Sequence, residues 1–370
     1  MIKDSSRRML LIAGIILVAV ILGMILIRET AVETNVTAKT TRVGLILNGP
    51  KDDASFCQTH YDSLMRIKKE LNLEILCQEN VPEDEACASA IDELISEGCC
   101  FIIGASFGYG DYLSAAADAH PDICFLHPTG TEKKTNLSSV FGRMYQARYL
   151  SGIVAGMRTK TGKLGYVAAF PFPEVIRGLN AFTLGVRSVR PDAEVTVRYC
   201  ESWVDDEAAE KAGKKLFEKN PDIDVITMHT NSMKPNELAE EKGIWAVGYN
   251  MDNAERFPNS FLAACEWKWD KYYEKSILSF LQGKFHGEIE WIDMDEGIVG
   301  LSKLTQNAVP GSEEAVEEAE IRFESRTFDV FYGPITDNEG KLRVAKGESM
   351  SDDVLLNHFD WYVEGVTVEE

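Results

Sequence analysis

Few residues of this chain are spaced for catalysis. Its six histidines are dispersed, and the sequence has no Gly-x-Ser-x-Gly elbow, no His-Glu-x-x-His pair and no Gly-rich phosphate loop. The eight cysteines form no Cys-x-x-Cys pair and have no histidine at zinc spacing. Several lie in apolar runs, as Cys124 does, where cysteine acts as a small hydrophobe; their pairing is left open. The sequence therefore predicts a protein without catalytic residues, bound metal or cofactor.

The chemistry that the sequence does offer is binding. Aromatic and hydrogen-bonding residues recur in the loops that follow predicted strands: 48–60, 106–111, 170–174, 201–205, 229–232 and 248–252. The candidate ligand contacts in these loops are Asp53, Ser55, Phe56, Ser106, Phe107, Glu174, Trp203, His229, Gly248 and Asp252. A pocket with aromatic walls and a few polar groups suits a flat heteroaromatic ligand, held by stacking and recognised at its edges. Sugars also stack on aromatic rings, so both ligand classes remain open.

The first loop illustrates the alternatives. Gly49 and Pro50 predict a turn, Asp53 or Ser55 can cap the following helix, and Phe56 then points into a cleft or acts as a hydrophobic staple. The loop has one glycine and adjacent acids, unlike a phosphate-binding loop.

Strands that alternate with helices must position these loops. Predicted strands at 43–47, 74–77, 101–105 and 123–126 alternate with helices at 57–71, 83–96 and 111–119. The rhythm restarts with strands at 164–169, 195–199, 225–228 and 245–247 and helices at 174–189, 206–217 and 235–242. This pattern predicts two doubly wound α/β lobes with parallel sheets. Ligands bind beyond the carboxyl ends of such strands, and two facing lobes can close around a small molecule by a hinge motion.

The segment between the two series, 145–157, places small residues at helical spacing. Small residues four apart allow another backbone to approach closely. Because Arg143 and Arg148 interrupt the run, a membrane-type helix pair is excluded. We expect this helix to pack against the second lobe near the crossover.

The charge balance excludes one class of partner. The 370 residues include 59 acidic and 38 basic ones, which gives a net charge of −21. Such a surface repels phosphate backbones, and its Lys and Arg residues are scattered along the chain. We therefore expect no nucleic-acid partner.

The N-terminal segment is much more hydrophobic than the chain as a whole. Residues 9–27 are uncharged and apolar, and Arg7 and Arg8 precede them. As a helix this run would rise about 28 Å, roughly the hydrocarbon thickness of a bilayer. It predicts a signal anchor or a cleaved signal peptide, with 1–8 in the cytoplasm, 28–41 as a tether and the remainder outside the cell membrane. No cysteine lies near it to accept a lipid.

Ordered motifs resemble one known family. They are Phe141–Gly156, Gly165–Phe182, Ser202–Asp205, His229–Ser232, Trp267 and Trp269 with Tyr272 and Tyr273, Phe331–Ile335 and Gly340–Arg343. From about Arg42 onward the chain resembles the basic membrane protein family, the substrate-binding components of ABC importers, whose members include purine nucleoside receptors. The resemblance implies the type I periplasmic-binding-protein fold and no chemistry on the ligand.

The resemblance also implies residue roles. Phe56 and Trp203 stand where the family stacks aromatic rings on the two faces of a purine, and Asp252 stands where nucleoside-binding relatives have an acid that contacts the ligand. Trp267 replaces a lysine that contacts ribose in those relatives, which favours a free base such as adenine. Trp267 and Trp269 would form an apolar wall of the pocket. Asn180 lies in the same matched motif as Glu174, six residues after it. Phe56 stands where this subgroup of the family usually has a tryptophan, so its ring can still stack on a ligand but with a smaller contact area.

Together these expectations describe a tethered extracytoplasmic receptor that presents a purine base to ABC permease subunits. Lobe 1 would comprise about 42–145 and 250–275, and lobe 2 about 160–249 with much of the C-terminal part. The alternative is a membrane-anchored ligand sensor or regulatory surface protein of the same fold.

Overall fold

The computed structural model describes residues 40–369. Its first lobe is built on a parallel sheet whose strand order is β11-β5-β4-β3-β1-β2. These strands are β1 (Thr41–Leu47), β2 (Leu73–Gln78), β3 (Phe101–Ala105), β4 (Cys124–Pro128), β5 (Leu137–Gly142) and β11 (Ile289–Ile292). Helices α1 (Phe56–Ile67), α2 (Glu85–Ser96) and α3 (Gly110–Ala119) connect the strands of this lobe.

The second lobe is built on a sheet with the order β12-β10-β9-β8-β6-β7-β15, in which only β12 runs antiparallel to its neighbour. Its strands are β6 (Lys163–Ala168), β7 (Glu194–Tyr199), β8 (Val225–His229), β9 (Trp245–Asn250), β10 (Phe261–Trp267), β12 (Val299–Leu301) and β15 (Val366–Glu369). Helices α4 (Met144–Arg158), α5 (Pro173–Val189), α6 (Asp206–Lys219) and α7 (Lys234–Lys242) belong to this lobe. The predicted doubly wound architecture is confirmed.

The chain crosses between the sheets three times. It passes from β5 into α4, returns from β10 into α8 (Asp270–Leu281), which packs on α1, and crosses again between β11 and β12. The sequence assigned about 250–275 to the first lobe. In the structure, β10 instead extends the second sheet beside β9, because its apolar residues are buried there, and the return begins only after Trp267.

The C-terminal part covers the second lobe. Helix α9 (Ser312–Glu324) packs on α4 and helix α10 (Asp352–Asn357) packs on α5, while β13 (Ile335–Thr336) and β14 (Leu342–Val344) form a small antiparallel pair. The last strand, β15, adds to the edge of the second sheet.

The small residues at 145–157 have the predicted consequence. A Cβ atom on Gly152 would lie 2.2 Å from the Phe182 carbonyl oxygen, and one on Gly185 would lie 2.0 Å from the Tyr149 carbonyl oxygen. Both distances are far below van der Waals contact, so α4 and α5 touch backbone to backbone. This contact joins the first helix after the crossover to the second lobe, as expected.

Two expectations fall at the limits of the described residues. Within residues 40–369, no helix is long and apolar enough to cross a bilayer. The predicted span, 9–27, lies outside the described residues, as does most of the predicted tether.

Of the cysteines, Cys57, Cys87, Cys99 and Cys265 are buried among apolar side chains, in agreement with their predicted role as small hydrophobes.

Replacement of Gly185 by Ala should destabilise the fold. The new methyl group meets a backbone carbonyl that cannot move without separating α4 from α5, at a cost of about 1 to 3 kcal/mol. Chemical denaturation will measure the change. The matched control is Gly213→Ala in α6, where the nearest atom is the end of a side chain, Leu238 Cδ1, at 2.7 Å. This control should cost less stability than Gly185→Ala, because a side-chain end can shift where a backbone carbonyl cannot, and alanine favours a helix. Equal stability of G185A and the parent protein would contradict the packing argument.

Candidate ligand-binding cleft

The two lobes are joined at the carboxyl ends of their strands by side-chain hydrogen bonds. Asn250, at the end of β9, donates from Nδ2 to Ser55 Oγ of the first lobe at 2.8 Å and to Asn231 Oδ1 of the second at 3.0 Å. Asn253 Nδ2 donates to the Ala54 carbonyl oxygen at 3.0 Å. The cleft is therefore closed at this edge.

Asn250 is a residue that sequence reasoning missed. It is fully buried with φ of +73°, and among the described residues its Oδ1 atom has no hydrogen-bond partner. A buried acceptor without a partner is costly in a folded protein, so Asn250 Oδ1 is a candidate to receive a hydrogen bond from a ligand. The available signal was its position in the loop 248–252, where the sequence favoured Asp252 instead. Asp252 is exposed, and its Oδ1 accepts the Ala254 N–H in a turn.

Phe56 begins α1 and is half-buried. Its ring makes edge contacts with His60 at 4.5 Å and with Trp267 and Trp269 at 6.4 Å each, measured between ring centroids. The two indoles stack on each other at 4.7 Å with 10° between their planes. Trp269 is fully buried and donates from Nε1 to Thr59 Oγ1. The tryptophans therefore support Phe56 from behind, and neither exposes a broad wall.

His60 lies behind the same ring. It is fully buried, stacks on Trp269 at 4.5 Å between centroids, and shares a short hydrogen bond between Nδ1 and the Tyr273 hydroxyl. Burial lowers the pKa of His60 to about 3, so its imidazole is neutral near pH 7. A neutral histidine holds the α1–α8 contact without placing a charge beneath Phe56.

Trp203 is the aromatic residue on the opposite lobe. Its ring lies 6.2 Å from Phe170 and 6.1 Å from His229, between centroids. Its carbonyl oxygen accepts the Thr230 hydroxyl and the Asn231 N–H, each at 2.8 Å. Since Asn231 is bonded through Asn250 to Ser55, a continuous chain of hydrogen bonds links the Trp203 loop to the residue beside Phe56.

Glu174 and His229 form the charged part of this edge. Glu174 lies in the first turn of α5, and its Oε1 atom is 3.0 Å from His229 Nε2. Burial lowers the pKa of His229 to about 4. Burial also acts to raise the pKa of Glu174, but His229, Arg177 and Arg148 outweigh it and hold that pKa below its usual value. Near pH 7 the pair is therefore a carboxylate and a neutral imidazole.

Three candidates are occupied by structural roles. Asp53 accepts the N–H groups of Ser55, Cys57 and Gln58 and so caps α1. Asn180 uses both ends of its amide on the C-terminal segment, donating to the Trp361 carbonyl oxygen and accepting the Val363 N–H. At Gly248 a Cβ atom would lie 2.5 Å from the Phe261 ring, so this glycine serves packing between β9 and β10.

Ser106 and Phe107 are adjacent in the sequence but differ in their burial. Ser106 is buried, donates to Glu83 and accepts from Asn48 Nδ2, whereas Phe107 is 71% exposed. The residues that the fold brings together are thus Ser55, Phe56, Glu174, Trp203, His229 and Asn250.

Two cavities lie away from this cleft. One of about 410 Å³ lies beside Arg198 and Lys211, and one of about 810 Å³ lies at the crossovers beside Arg143 and Asp352. None of the predicted ligand contacts lines either cavity. Within residues 40–369, no group of three or more His, Cys, Asp or Glu side chains can hold a metal ion.

The fold defines the class of protein. The structure is similar to that of an ABC transporter solute-binding protein from Aeropyrum pernix K1, with a TM-score of 0.68 and 18% identity over 78% of this chain and 92% of that one. Two α/β lobes closed across the carboxyl ends of their strands are the architecture of such proteins.

The family follows from the sequence. The family described as "ABC transporter substrate-binding protein PnrA-like" matches residues 40–327, and the chain belongs to it. The chain is 33% identical to "Purine-binding protein BAB2_0673" of Brucella abortus over 88% of its own length and 92% of that protein's. It is 32% identical to "Putative ABC transporter glucose-binding protein TsgA13" of Haloferax volcanii over 72% of its own length, and it spans 65% of that protein. Proteins of this family bind their substrate outside the cytoplasm without transforming it.

The buried His60 makes stability depend on pH. Below about pH 6.5 the unfolded chain binds a proton at His60 that the folded protein does not bind until about pH 3. This stability is fully present above pH 6.5 and is lost as the pH falls, by at most about 1.4 kcal/mol per pH unit. Denaturant unfolding near pH 7 and pH 5 should show a smaller acid loss in His60→Gln than in the parent protein.

The control for that experiment is His286→Gln. His286 is exposed, and hydrogen bonds to the Lys284 carbonyl oxygen and Glu288 raise its pKa, so its contribution has the opposite sign. Removing His286 should not reduce the acid loss. Identical acid losses in H60Q and the parent protein would contradict the burial argument.

Proposed function

We propose that this substrate-binding protein binds a purine base between Phe56 and Trp203 and presents it to the permease subunits of an ABC importer. The observation that supports the proposal is the chain of hydrogen bonds through Asn250 and Asn231, which links the loop bearing Trp203 to Ser55, the residue before Phe56. Stacking between two aromatic rings suits a flat heteroaromatic ligand. The name of the Brucella abortus relative, a purine-binding protein, supports the same ligand class.

The polar groups near the rings fit the edges of a base. The Glu174 carboxylate and the Asn250 carbonyl are both acceptors, and a free purine base carries ring and exocyclic N–H donors. Ser55 accepts from Asn250, and its hydroxyl can donate to a ring nitrogen. A few polar groups at fixed positions around an apolar slot are typical of small-molecule sites.

A free base fits better than a nucleoside. Trp267, at the position where the family resemblance places a ribose-binding lysine, is buried between Trp269, Phe141 and Phe56. It is 4% exposed and brings no positive charge to bind sugar hydroxyls. We therefore favour adenine, and we further propose that residues 9–27 tether the protein to the cell membrane.

Glucose is the competing ligand because the Haloferax volcanii relative is named as a putative glucose-binding protein. Sugars also stack on aromatic rings, but two acceptors and a pair of stacked faces suit a planar donor-bearing base better than a hydroxyl-rich ring. Calorimetric titration of the purified protein with adenine, hypoxanthine, adenosine and glucose separates the two. Binding of glucose without any response to purines would overturn the proposal.

Replacement of Trp203 by Ala should weaken purine binding by about 1 to 3 kcal/mol, the worth of one base–aromatic stack. Calorimetry on the parent protein and the variant measures it directly. Trp245→Ala is the matched control, since Trp245 is a half-buried indole at the opposite end of the same sheet, beneath Arg158 at 3.5 Å. Equal losses in W203A and W245A would place Trp203 outside the site.

A further inference from the structure

A chain of three hydrogen-bonded side chains, two of them buried, stands at the second-lobe edge of the cleft. Tyr166, in β6, has its hydroxyl 3.1 Å from His229 Nδ1, and His229 Nε2 is 3.0 Å from Glu174 Oε1. Tyr166 is fully buried, the His229 side chain is 1% exposed, and the Glu174 side chain is 27% exposed. We call these three residues the Tyr166–His229–Glu174 relay. Only its last member, Glu174, reaches the surface of the cleft.

Tyr166 and Glu174, at the two ends of the relay, determine which atoms donate and which accept in its hydrogen bonds. Tyr166 lies next to the fully buried Arg148, and burial raises the pKa of its phenol, so the hydroxyl keeps its proton and donates to His229 Nδ1. The neutral imidazole then carries its own proton on Nε2 and donates it to Glu174. Both ring nitrogens of His229 are occupied, so His229 contacts a ligand with no polar atom. It is a positioning residue for Glu174.

Glu174 is thereby fixed as an acceptor. One carboxylate oxygen receives the His229 N–H, and within residues 40–369 we find no donor to the other oxygen. Arg148 and Arg177 are fully buried or nearly so and favour the ionised form. Arg148 lies with its guanidinium 3.9 Å from the Tyr249 ring centroid and donates to the Met228 carbonyl oxygen, so it supplies charge from beneath the surface.

We infer that the Tyr166–His229–Glu174 relay faces the 6-position of a bound purine and makes this protein selective for a 6-aminopurine over a 6-oxopurine. The inference rests on the proposed function, since it requires a purine in the cleft. A carboxylate accepts an exocyclic amino N–H and repels a carbonyl oxygen placed at the same position. A 6-oxopurine held in this orientation cannot donate to Glu174, so that acceptor is left unpaired.

The test is the ratio of the affinities for adenine and hypoxanthine, which differ at the 6-position. In the parent protein adenine should bind about tenfold or more tightly than hypoxanthine. Glu174→Gln keeps the shape of the side chain but presents a group that can also donate, so the ratio should fall by a factor of about ten or more. Both ligands are measured by calorimetry on the purified full chain.

Tyr166→Phe tests the positioning role. Loss of the phenol O–H removes the hydrogen bond to His229 Nδ1, so the imidazole ring holds Glu174 less firmly and the ratio should fall in the same direction as in E174Q. Tyr109→Phe is the matched control, since Tyr109 is also fully buried and donates to a single acceptor, the Val81 carbonyl oxygen at 2.6 Å, in the first lobe. It loses one buried hydrogen bond and should keep the ratio of the parent protein.

The outcomes separate the two claims. Adenine binding with an unchanged ratio in E174Q, or with equal changes in Y166F and Y109F, would overturn the relay and leave the proposed function standing. Preference of the parent protein for hypoxanthine would do the same. Absence of binding by any purine would overturn both. A fall of the ratio in E174Q and Y166F, with Y109F unchanged, supports the inference.

Discussion

The Asn250 amide joins the two lobes, and the geometry of the cleft depends on it. Its single NH2 group donates to Ser55 on one lobe and Asn231 on the other. Ser55 immediately precedes Phe56, and Asn231 donates its N–H to the Trp203 carbonyl oxygen. The two aromatic rings are thus placed by one amide. The hydrogen bonds of this amide therefore connect the loop that carries Phe56 to the loop that carries Trp203.

The bridge requires lobes that are themselves rigid. The backbone contact of α4 with α5 provides this in the second lobe, because Gly152 and Gly185 let the helices approach without intervening side chains. In the first lobe, Trp269 and His60 fix α1 against α8 through buried rings and hydrogen bonds. The aromatic cluster behind Phe56 and the crossover after β10 are the same residues. The crossover after β10 therefore also supports the Phe56 ring.

Much of the fold could be predicted from the sequence because period and turn signals are local. Two βα series, the crossover helix and the loops at strand ends follow from such patterns, and family motifs indicated Phe56 and Trp203. The assignment of β10 to the second sheet could not be predicted, since a short apolar run fits either lobe. Asn180 and Asp53 were expected to contact a ligand, but their partners, the C-terminal segment and the first turn of α1, are set by tertiary packing. Asn250 was missed because burial, and not residue type, distinguishes it from Asp252.

The charges around Glu174 in the cleft differ from the net negative charge of the chain as a whole. A net charge of −21 disfavours phosphorylated ligands in general, yet the buried cluster around Glu174 contains two guanidinium groups and one carboxylate. Burial acts to raise the pKa of Glu174, and these cations together with His229 outweigh it and hold that pKa below its usual value. His229 stays neutral because its burial disfavours the charged imidazolium and lowers its pKa. The protein can thus present one ionised acceptor beside two aromatic rings, which is the combination that a neutral, donor-bearing base requires and a phosphate does not tolerate.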